Sequence, residues 1–476
     1  MMKKFSTLLL LGLVSLNLSA QKMSKDKKAV VASVEKHKEN LIQISDSIWA
    51  LAETAFEESI SSELLADYAE KNGMTVTRGV ADIPTAFVAT YGSGKPVISV
   101  LGEFDALPGL SQNTVPTKDP RIDGAPGHGC GHNMFGAASL GAAIAIKEQI
   151  EAGNIKGTVK FFGTPAEEKF FGKVWMVEAG LWDDVDVNVS WHPSAEIEAD
   201  VQSGLALVDF MIEFYGQAAH ASSDPWNGRS ASDALELYTT GINYYREHIK
   251  PTSRIHYHIQ DGGQVVNVVP DYARLWVRVR DPKRDVMLPT FERVKAMAEG
   301  AAIMANVDYK YSLISGIYET LVNREGGKIM QNNLELLGPI TYTDEEITYG
   351  KAIQEATGKP QVGMDGEVHP LKETEELPGG GSTDVGDVSW NVPNINLGVT
   401  VAPKGTPWHS WAVVACGGMS IGHKGMIYAS KAMGMTMFDL FDDPKLVEKV
   451  KEEFKTRKGD VKYEAMIDGP PPIPGK

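Results

Sequence analysis

Apolar residues recur at three- and four-residue spacing through Val30, Val34, Leu41, Ile44, Ile48 and Leu51, which predicts helix from residue 24 to Gly73. Met74 to Gly79 then turns extended. Thr85 to Thr90 and Pro96 to Leu101 are rich in strand-forming residues, and Gly92-Ser93-Gly94 between them predicts a hairpin. Met134 to Ile150 reads as a helix of small residues, while Thr158 to Phe162 and Val185 to Trp191 read as buried strands. Alternating strands and helices predict an α/β domain whose central mixed sheet is flanked by helices.

From Gly204 the rhythm changes. Strand patterns at Leu205–Tyr215, Arg254–Ile259, Ala273–Arg280 and Val307–Leu313 enclose helical patterns at Ser230–His248 and Pro289–Ala305. That β-α-β-β-α-β order is a complete ferredoxin-like α+β unit, so it reads as a second domain inserted into the first. The α/β rhythm then resumes through a Gly-rich stretch at Gly379–Asp384 to a last helix at Gly422–Phe441. The divisions implied are 21–203 and 318–445 for the α/β domain, 204–317 for the insertion, and 446–476 for a tail with a Pro-rich end.

Residues 1–20 stand apart. Lys3 and Lys4 precede an apolar run from Phe5 to Leu18, and Ser19-Ala20 offers a small-residue cleavage point. This has the form of a secretory signal and is too short for a membrane span, so the chain is expected to be exported, to a periplasm or the exterior. Its removal takes the net charge from −16 to −18. No later segment is apolar enough to span a membrane, so no membrane association is expected after processing. Forty-six basic against 62 acidic residues exclude a nucleic-acid footprint, and two cysteines cannot form a disulfide framework. A single Cys130–Cys416 bridge remains compatible with export.

Four features carry chemistry. His128-Gly-Cys130-Gly-His132 places thiol and imidazole donors for divalent metals on a backbone free to bend. Thr164-Pro-Ala-Glu167-Glu168 follows a strand, where one carboxylate can hold a metal while the other moves a proton. Trp191-His192-Pro193 ends another apolar strand, and Pro407-Trp-His409-Ser410 lies far along the chain. Taken singly, these read equally well as a Gly-rich turn, a solvated acidic loop and structural histidines. Together they predict one site at the carboxyl ends of the sheet strands.

At this point the chain resembles the amidohydrolase and carboxypeptidase family that includes aminoacylase and the p-aminobenzoyl-glutamate hydrolase subunits, nearest the branch formed by the B-type of those subunits. The resemblance rests on Gly102-Glu-Phe-Asp105-Ala-Leu107, Gly127–Asn133, Pro165–Glu168, Trp191-His-Pro193, Gly216-Gln-Ala-Ala-His220-Ala-Ser222, Asn267-Val-Val-Pro270, Ser382–Trp390 and Trp408-His-Ser410. It implies two divalent ions per subunit, zinc or manganese, held by Cys130, His132, Glu168, His192 and His409, with Cys130 shared. It implies Glu167 as general base and Asp105 as the carboxylate that orients a ligand. The inserted domain matches the family's lid and dimerisation domain. His220 matches a residue that enters the partner's site to stabilise an oxyanion, and Asn267 and Arg280 match lid residues that hold substrate. The implied substrates are N-acyl or N-aroyl amino acids such as p-aminobenzoyl-glutamate, then short dipeptides. The implied assembly is a homodimer or a heterodimer with a related subunit.

Asn133, Phe135 and Thr383 stand where many relatives carry Asp, His and Glu, and Lys169-Phe170-Phe171 replaces glycines after the paired glutamates. Two rival readings compete with a metal-dependent amidohydrolase. One is a serine hydrolase built on Gly418-Met-Ser420-Ile-Gly422, with only His423 downstream as a base. The other is a partner subunit of low activity that keeps the fold.

Overall fold

The computed structural model describes residues 22–373 and 381–475. The proposed signal at 1–20 and part of the Gly-rich stretch at 379–384 lie outside the described residues. Predicted helix at 24–73 is two helices, α1 (Lys25–Leu51) and α2 (Ser59–Lys71), because Ala52 turns into the left-handed region at φ 47° and ends the first. β1 (Thr75–Arg78), β2 (Phe87–Gly92), β3 (Val97–Gly102), α3 (His132–Glu151), β4 (Thr158–Gly163), α4 (Gly172–Glu178), β5 (Val187–Ser194) and β6 (Glu198–Asp200) complete the first half.

The inserted unit follows as β7 (Ala206–Tyr215), α5 (Ala231–Tyr245), β8 (Arg254–Asp261), β9 (Tyr272–Asp281), α6 (Arg284–Ala305) and β10 (Asp308–Ile317). Its four strands form an antiparallel sheet in the order β10-β7-β9-β8, as a ferredoxin-like unit requires. The β9 side chains alternate between buried and half-buried, with Ala273, Leu275, Val277 and Val279 turned toward α5 and α6. The unit therefore has its own apolar core.

The chain returns through α7 (Arg324–Leu337), α8 (Asp344–Ala356), α9 (Val385–Ser389), β11 (Asn394–Thr400), α10 (Trp411–Gly417) and α11 (Ser420–Asp442). The first and last parts share a seven-stranded mixed sheet in the order β1-β2-β4-β3-β5-β11-β6. β4, β3, β5 and β11 run parallel. α3 is buried on almost every face beneath this sheet, between α1 and α11, which explains its small residues. Among the described residues, no helix is long and apolar enough to cross a membrane.

Two expectations are corrected. β2 and β3 do not form a hairpin. β4 lies between them, antiparallel to β2 and parallel to β3. All six residues of β3 are buried, as suits an inner strand with parallel neighbours, β4 and β5, on both sides. The Gly92–Gly94 turn packs instead on the start of β4, with Ser93 N–H donating to the Gly157 carbonyl at 3.0 Å. Residues 446–476 are also more than a tail. Asp443 caps a helix whose first residue is Pro444, α12 (Pro444–Lys458), and Val447 and Val450 bury its inner face. The chain then packs back on the fold, where Gly316 N–H donates to the Met466 carbonyl at 2.8 Å.

A Cβ on Gly136 of α3 would fall 2.9 Å from both the Glu103 carbonyl oxygen and Leu65 Cδ1. Gly136→Val should therefore cost about 1–3 kcal/mol through overpacking, read as a lower denaturant midpoint at unchanged slope. An unchanged midpoint would show that α3 tolerates a wider separation from the end of β3.

Candidate active site

The four parallel strands deliver the chemistry from their carboxyl ends. Glu103 and Asp105 follow β3, Glu167 and Glu168 follow β4, His192 sits near the end of β5, and His409 lies on the loop after β11. Gly131 precedes α3 at φ 83°, a left-handed conformation that glycine adopts without strain, and Pro193 and Met134 crowd the space a Cβ would need. This bend brings Cys130 and His132 to one point. Ala166 at φ 62° and His409 at φ 55° hold the same strained conformation with a side chain present.

Beside a buried trio of Glu103, His132 and Glu167, two further trios of donors result, each with all its ligand atoms within 4.8 Å of one another: Cys130, His132 and His192, and Cys130, Glu168 and His409. Cys130 belongs to both. Its Sγ lies 3.4 Å from His192 Nε2, and His409 Nε2 lies 3.6 Å from Glu168 Oε2. The imidazoles are oriented from behind. His192 Nδ1 donates to the Pro193 carbonyl at 2.8 Å, and His132 Nδ1 faces Asp105 Oδ1 at 2.9 Å. Each ring thus turns Nε2 toward the cluster. The other oxygen of Asp105 accepts the Glu168 N–H at 2.9 Å. Among the described residues, buried Glu168 Oε1 has no hydrogen-bond partner, and His132 Nε2 faces the Glu103 carboxylate at 3.1 Å. Thiol, imidazole and carboxylate with an unsatisfied inward oxygen suit a pair of divalent cations.

Electrostatics agree with that fit. Burial, reinforced by the Asp105 and Glu103 carboxylates against the pull of His132, pushes Glu168 up to about 7. Burial, followed by the Glu103 and Glu168 carboxylates, holds Glu167 well above its usual range. Burial and then Glu168 push the Cys130 thiol up, while burial and His132 draw His192 down to about 4. Negative charge is thus unwelcome here until cations arrive.

A cavity of about 690 Å³ opens over the trios. Its walls include Phe135, Phe171, Trp191 and Trp408 from the sheet domain and Trp276, Arg278 and Arg280 from β9 of the inserted unit. Arg280, expected to hold substrate, is thus one of the residues lining the cavity. His220 and Asn267 are not. They lie together on an exposed edge of the inserted unit, where Ala221 N–H donates to the Asn267 carbonyl at 3.1 Å, outside this chain's own cavity. His128 also turns away, bonding the Ile48 carbonyl at 3.0 Å. Of the Phe pair, Phe171 lines the cavity and Phe170 stacks on Phe56 with ring centroids 5.3 Å apart.

Neither the disulfide nor the serine nucleophile forms. Cys130 and Cys416 are both free, and Cys416 is a core residue. Ser420 starts α11 and donates to Glu346 at 2.8 Å, while His423 pairs with Asp46. Sequence reasoning missed three buried charges. Lys173 Nζ lies 2.7 Å from Glu103 Oε1 and 2.6 Å from Asp384 Oδ1, and Glu103 Oε2 lies 3.1 Å from His132 Nε2. A lone lysine within Gly172-Lys-Val-Trp-Met-Val was the available signal.

Over residues 100–410 the chain matches the model for Peptidase family M20/M25/M40, to which it belongs. It is 38% identical to the B-type p-aminobenzoyl-glutamate hydrolase subunit of Escherichia coli (strain K12), over 88% of this chain and 93% of that protein. It is 27% identical to the Xaa-Arg dipeptidase of Mus musculus, over 92% and 94%. A Bacillus subtilis structure described as a dinuclear metal-binding peptidase of the M20 family shares the fold, with a TM-score of 0.56, 18% identity and coverage of 86% and 99%.

Metal uptake must displace the proton that Glu168 holds up to about pH 7 and the thiol proton of Cys130. Affinity for zinc should therefore climb between pH 6 and 8 with proton release, measured by calorimetry in buffers of different ionisation heat. Glu168 binds its proton more tightly folded than unfolded. Its contribution to metal-free stability is thus present at low pH and lost as pH rises through about 7. A pH-independent affinity would remove Glu168 and Cys130 as ligands.

Proposed function

We propose that the chain is a dinuclear metal-dependent amidohydrolase acting on N-acyl or N-aroyl amino acids of the p-aminobenzoyl-glutamate type. The observation that carries this reading is the pair of donor trios sharing Cys130 beside the buried base Glu167. Cys130, His132 and His192 would hold one ion and Cys130, Glu168 and His409 the other, with zinc or manganese suited to these donors. Bound there, two such ions would supply the polarisation of an amide carbonyl and the acidification of a water. Glu167 takes the proton of the attacking water at a carboxylate oxygen and delivers it to the leaving nitrogen. Asp105 holds the His132 ring from Nδ1, so that Nε2 faces the cluster.

The aromatic walls match an aroyl or other flat acyl group, and Arg278 and Arg280 match the carboxylate of the amino-acid part. A second reading, dipeptides with a basic residue, is favoured by the half-buried Asp200 carboxylate in the same cavity and by the likeness to a dipeptidase.

Exposed His220 fits a role in a neighbouring subunit's site, where it would stabilise the oxyanion. The Escherichia coli relative is itself named as one subunit of a hydrolase, which favours assembly with a related subunit, and a homodimer through the lid would meet the same need. The apolar segment with Lys3 and Lys4 supports export before the enzyme acts.

Zinc- or manganese-loaded protein, assayed against p-aminobenzoyl-glutamate, N-acyl amino acids and dipeptides, should release the amine product. Inactivity toward every member in both metal forms would overturn the reading. Glu167→Gln should lower kcat by at least about 100-fold with both metals retained by elemental analysis. Lost metal would make Glu167 a ligand instead. His220→Ala should lower turnover without metal loss, and mixing it with Glu167→Gln should restore activity in proven mixed dimers. No recovery there would refute the shared site.

A further inference from the structure

Lys173, in the first turn of α4, is wholly enclosed. It grips Asp384 twice: Nζ meets Oδ1 at 2.6 Å, and the backbone N–H donates to Oδ2 at 2.9 Å. The same ammonium reaches Glu103 Oε1 at 2.7 Å, and the other oxygen of Glu103 faces His132 Nε2. One side chain thus ties the residue at the start of α9 to the carboxylate beside a donor of the first trio.

What Asp384 belongs to gives this tie its meaning. Leu205 immediately precedes the first lid strand and Tyr318 immediately follows the last, so these are the two crossovers between the domains. Both are held by the segment around Asp384. Leu205 N–H donates to the Gly381 carbonyl at 2.8 Å, and Tyr318 N–H donates to Asp387 Oδ2 at 3.3 Å. Beyond Tyr318, Trp390 Nε1 donates to the Glu319 carbonyl and Leu321 N–H to Ser389 Oγ, each at 2.8 Å. The fit is close, because a Cβ on Gly386 would fall 2.1 Å from the Tyr318 carbonyl oxygen. Residues 381–390 are therefore the seat of the lid, and their buried charged anchor is Lys173.

We propose that Lys173 is a positioning residue that locks the lid crossovers to the carboxylate beside His132, and so sets how far the lid arginines stand from the donor trios. Cavity walls from two domains need such a reference. Trp276, Arg278 and Arg280 come from β9, whereas Glu167, Glu168 and His409 come from the sheet domain. A backbone seat fixes the crossovers to α9, and Val385 and Val388 pack α9 into the sheet domain's apolar core, but that packing is non-directional and does not by itself tie α9 to the carboxylate beside His132. A buried ion triad with short contacts does so, since either carboxylate left without the ammonium would be an unpaired interior charge.

Hydrogen exchange in the metal-free protein tests the tie without any substrate. In Lys173→Met, exchange at Leu205, Tyr318 and Leu321 should quicken at least about tenfold while the lid's own β7–β9 amides stay as in wild type. Should the unpaired carboxylates prevent folding, the neutral triple variant Lys173→Met with Glu103→Gln and Asp384→Asn removes that penalty. Asp384→Asn alone, which keeps Lys173 paired with Glu103, gives the same reading. Unchanged protection at the three crossover amides in any folded variant would overturn the proposal. The kinetic arm rests on the amidohydrolase reading and uses p-aminobenzoyl-glutamate. Lys173→Met and Arg280→Ala should combine non-additively in kcat/KM, by more than about threefold, whereas a local packing role predicts a simple product of effects. If the wild type leaves this substrate untouched, the substrate reading fails and the exchange experiment still decides the role of Lys173.

Discussion

The catalytic half of the molecule is organised around buried negative charge that needs positive charge beside it. Glu58, Glu103, Asp105, Glu167 and Asp384 are all withdrawn from water near the carboxyl ends of the parallel strands. An isolated interior carboxylate is costly, so each must be neutralised, hydrogen-bonded or matched with a cation. Lys173 answers for Glu103 and Asp384. Backbone N–H groups answer in part for Glu58 and Asp105, through Ala166 and Glu168. Glu167 and the Cys130–Glu168 pair receive no comparable partner, and their protons are held correspondingly tightly. The same arithmetic explains why a set of candidate metal donors and a fixed lysine occur a few ångströms apart: one cation is built in, and on the proposed reading the others would be taken from solution.

The sheet and the inserted unit divide the remaining work. Parallel strands hold reactive groups to a common plane, because successive strand ends are bonded in register and each contributes one short segment. β9 of the inserted unit adds Trp276 to the aromatic walls and supplies the cationic side, Arg278 and Arg280, that the sheet domain does not bring to the cavity. Cavity shape thus depends on the relative placement of two separately packed cores, and the crossovers at Leu205 and Tyr318 carry that placement. Strain is spent in the same region. Ala166, Phe171 and His409 hold left-handed backbone although none is glycine. The surrounding hydrogen bonds, such as His409 N–H to the Gly129 carbonyl at 3.0 Å, keep them there.

Much of this was legible in the linear order of residues. The ferredoxin-like unit could be read because its six elements are contiguous and β9 alternates cleanly between core and half-buried positions. The Cys130–His132 pair was legible because its donors are two residues apart with glycine between them. The β2–β3 connection was misread because a Gly-Ser-Gly turn reports only local chain reversal, whereas the strand that separates them arrives more than fifty residues later. The helix after Pro444 was missed because its apolar face is narrow, with only Val447 and Val450 buried.

Chemical capacity was therefore set by the sequence itself: which side chains can ligate, which can move a proton, and which segments must be strands or helices, since these follow from residue type and short-range spacing. Tertiary structure alone decided which charges meet. Lys173, Glu103 and Asp384 lie far apart along the chain and carry no periodic signature. Their pairing exists only because folding removes all three from water at one place, where an unpaired charge is too costly to leave alone.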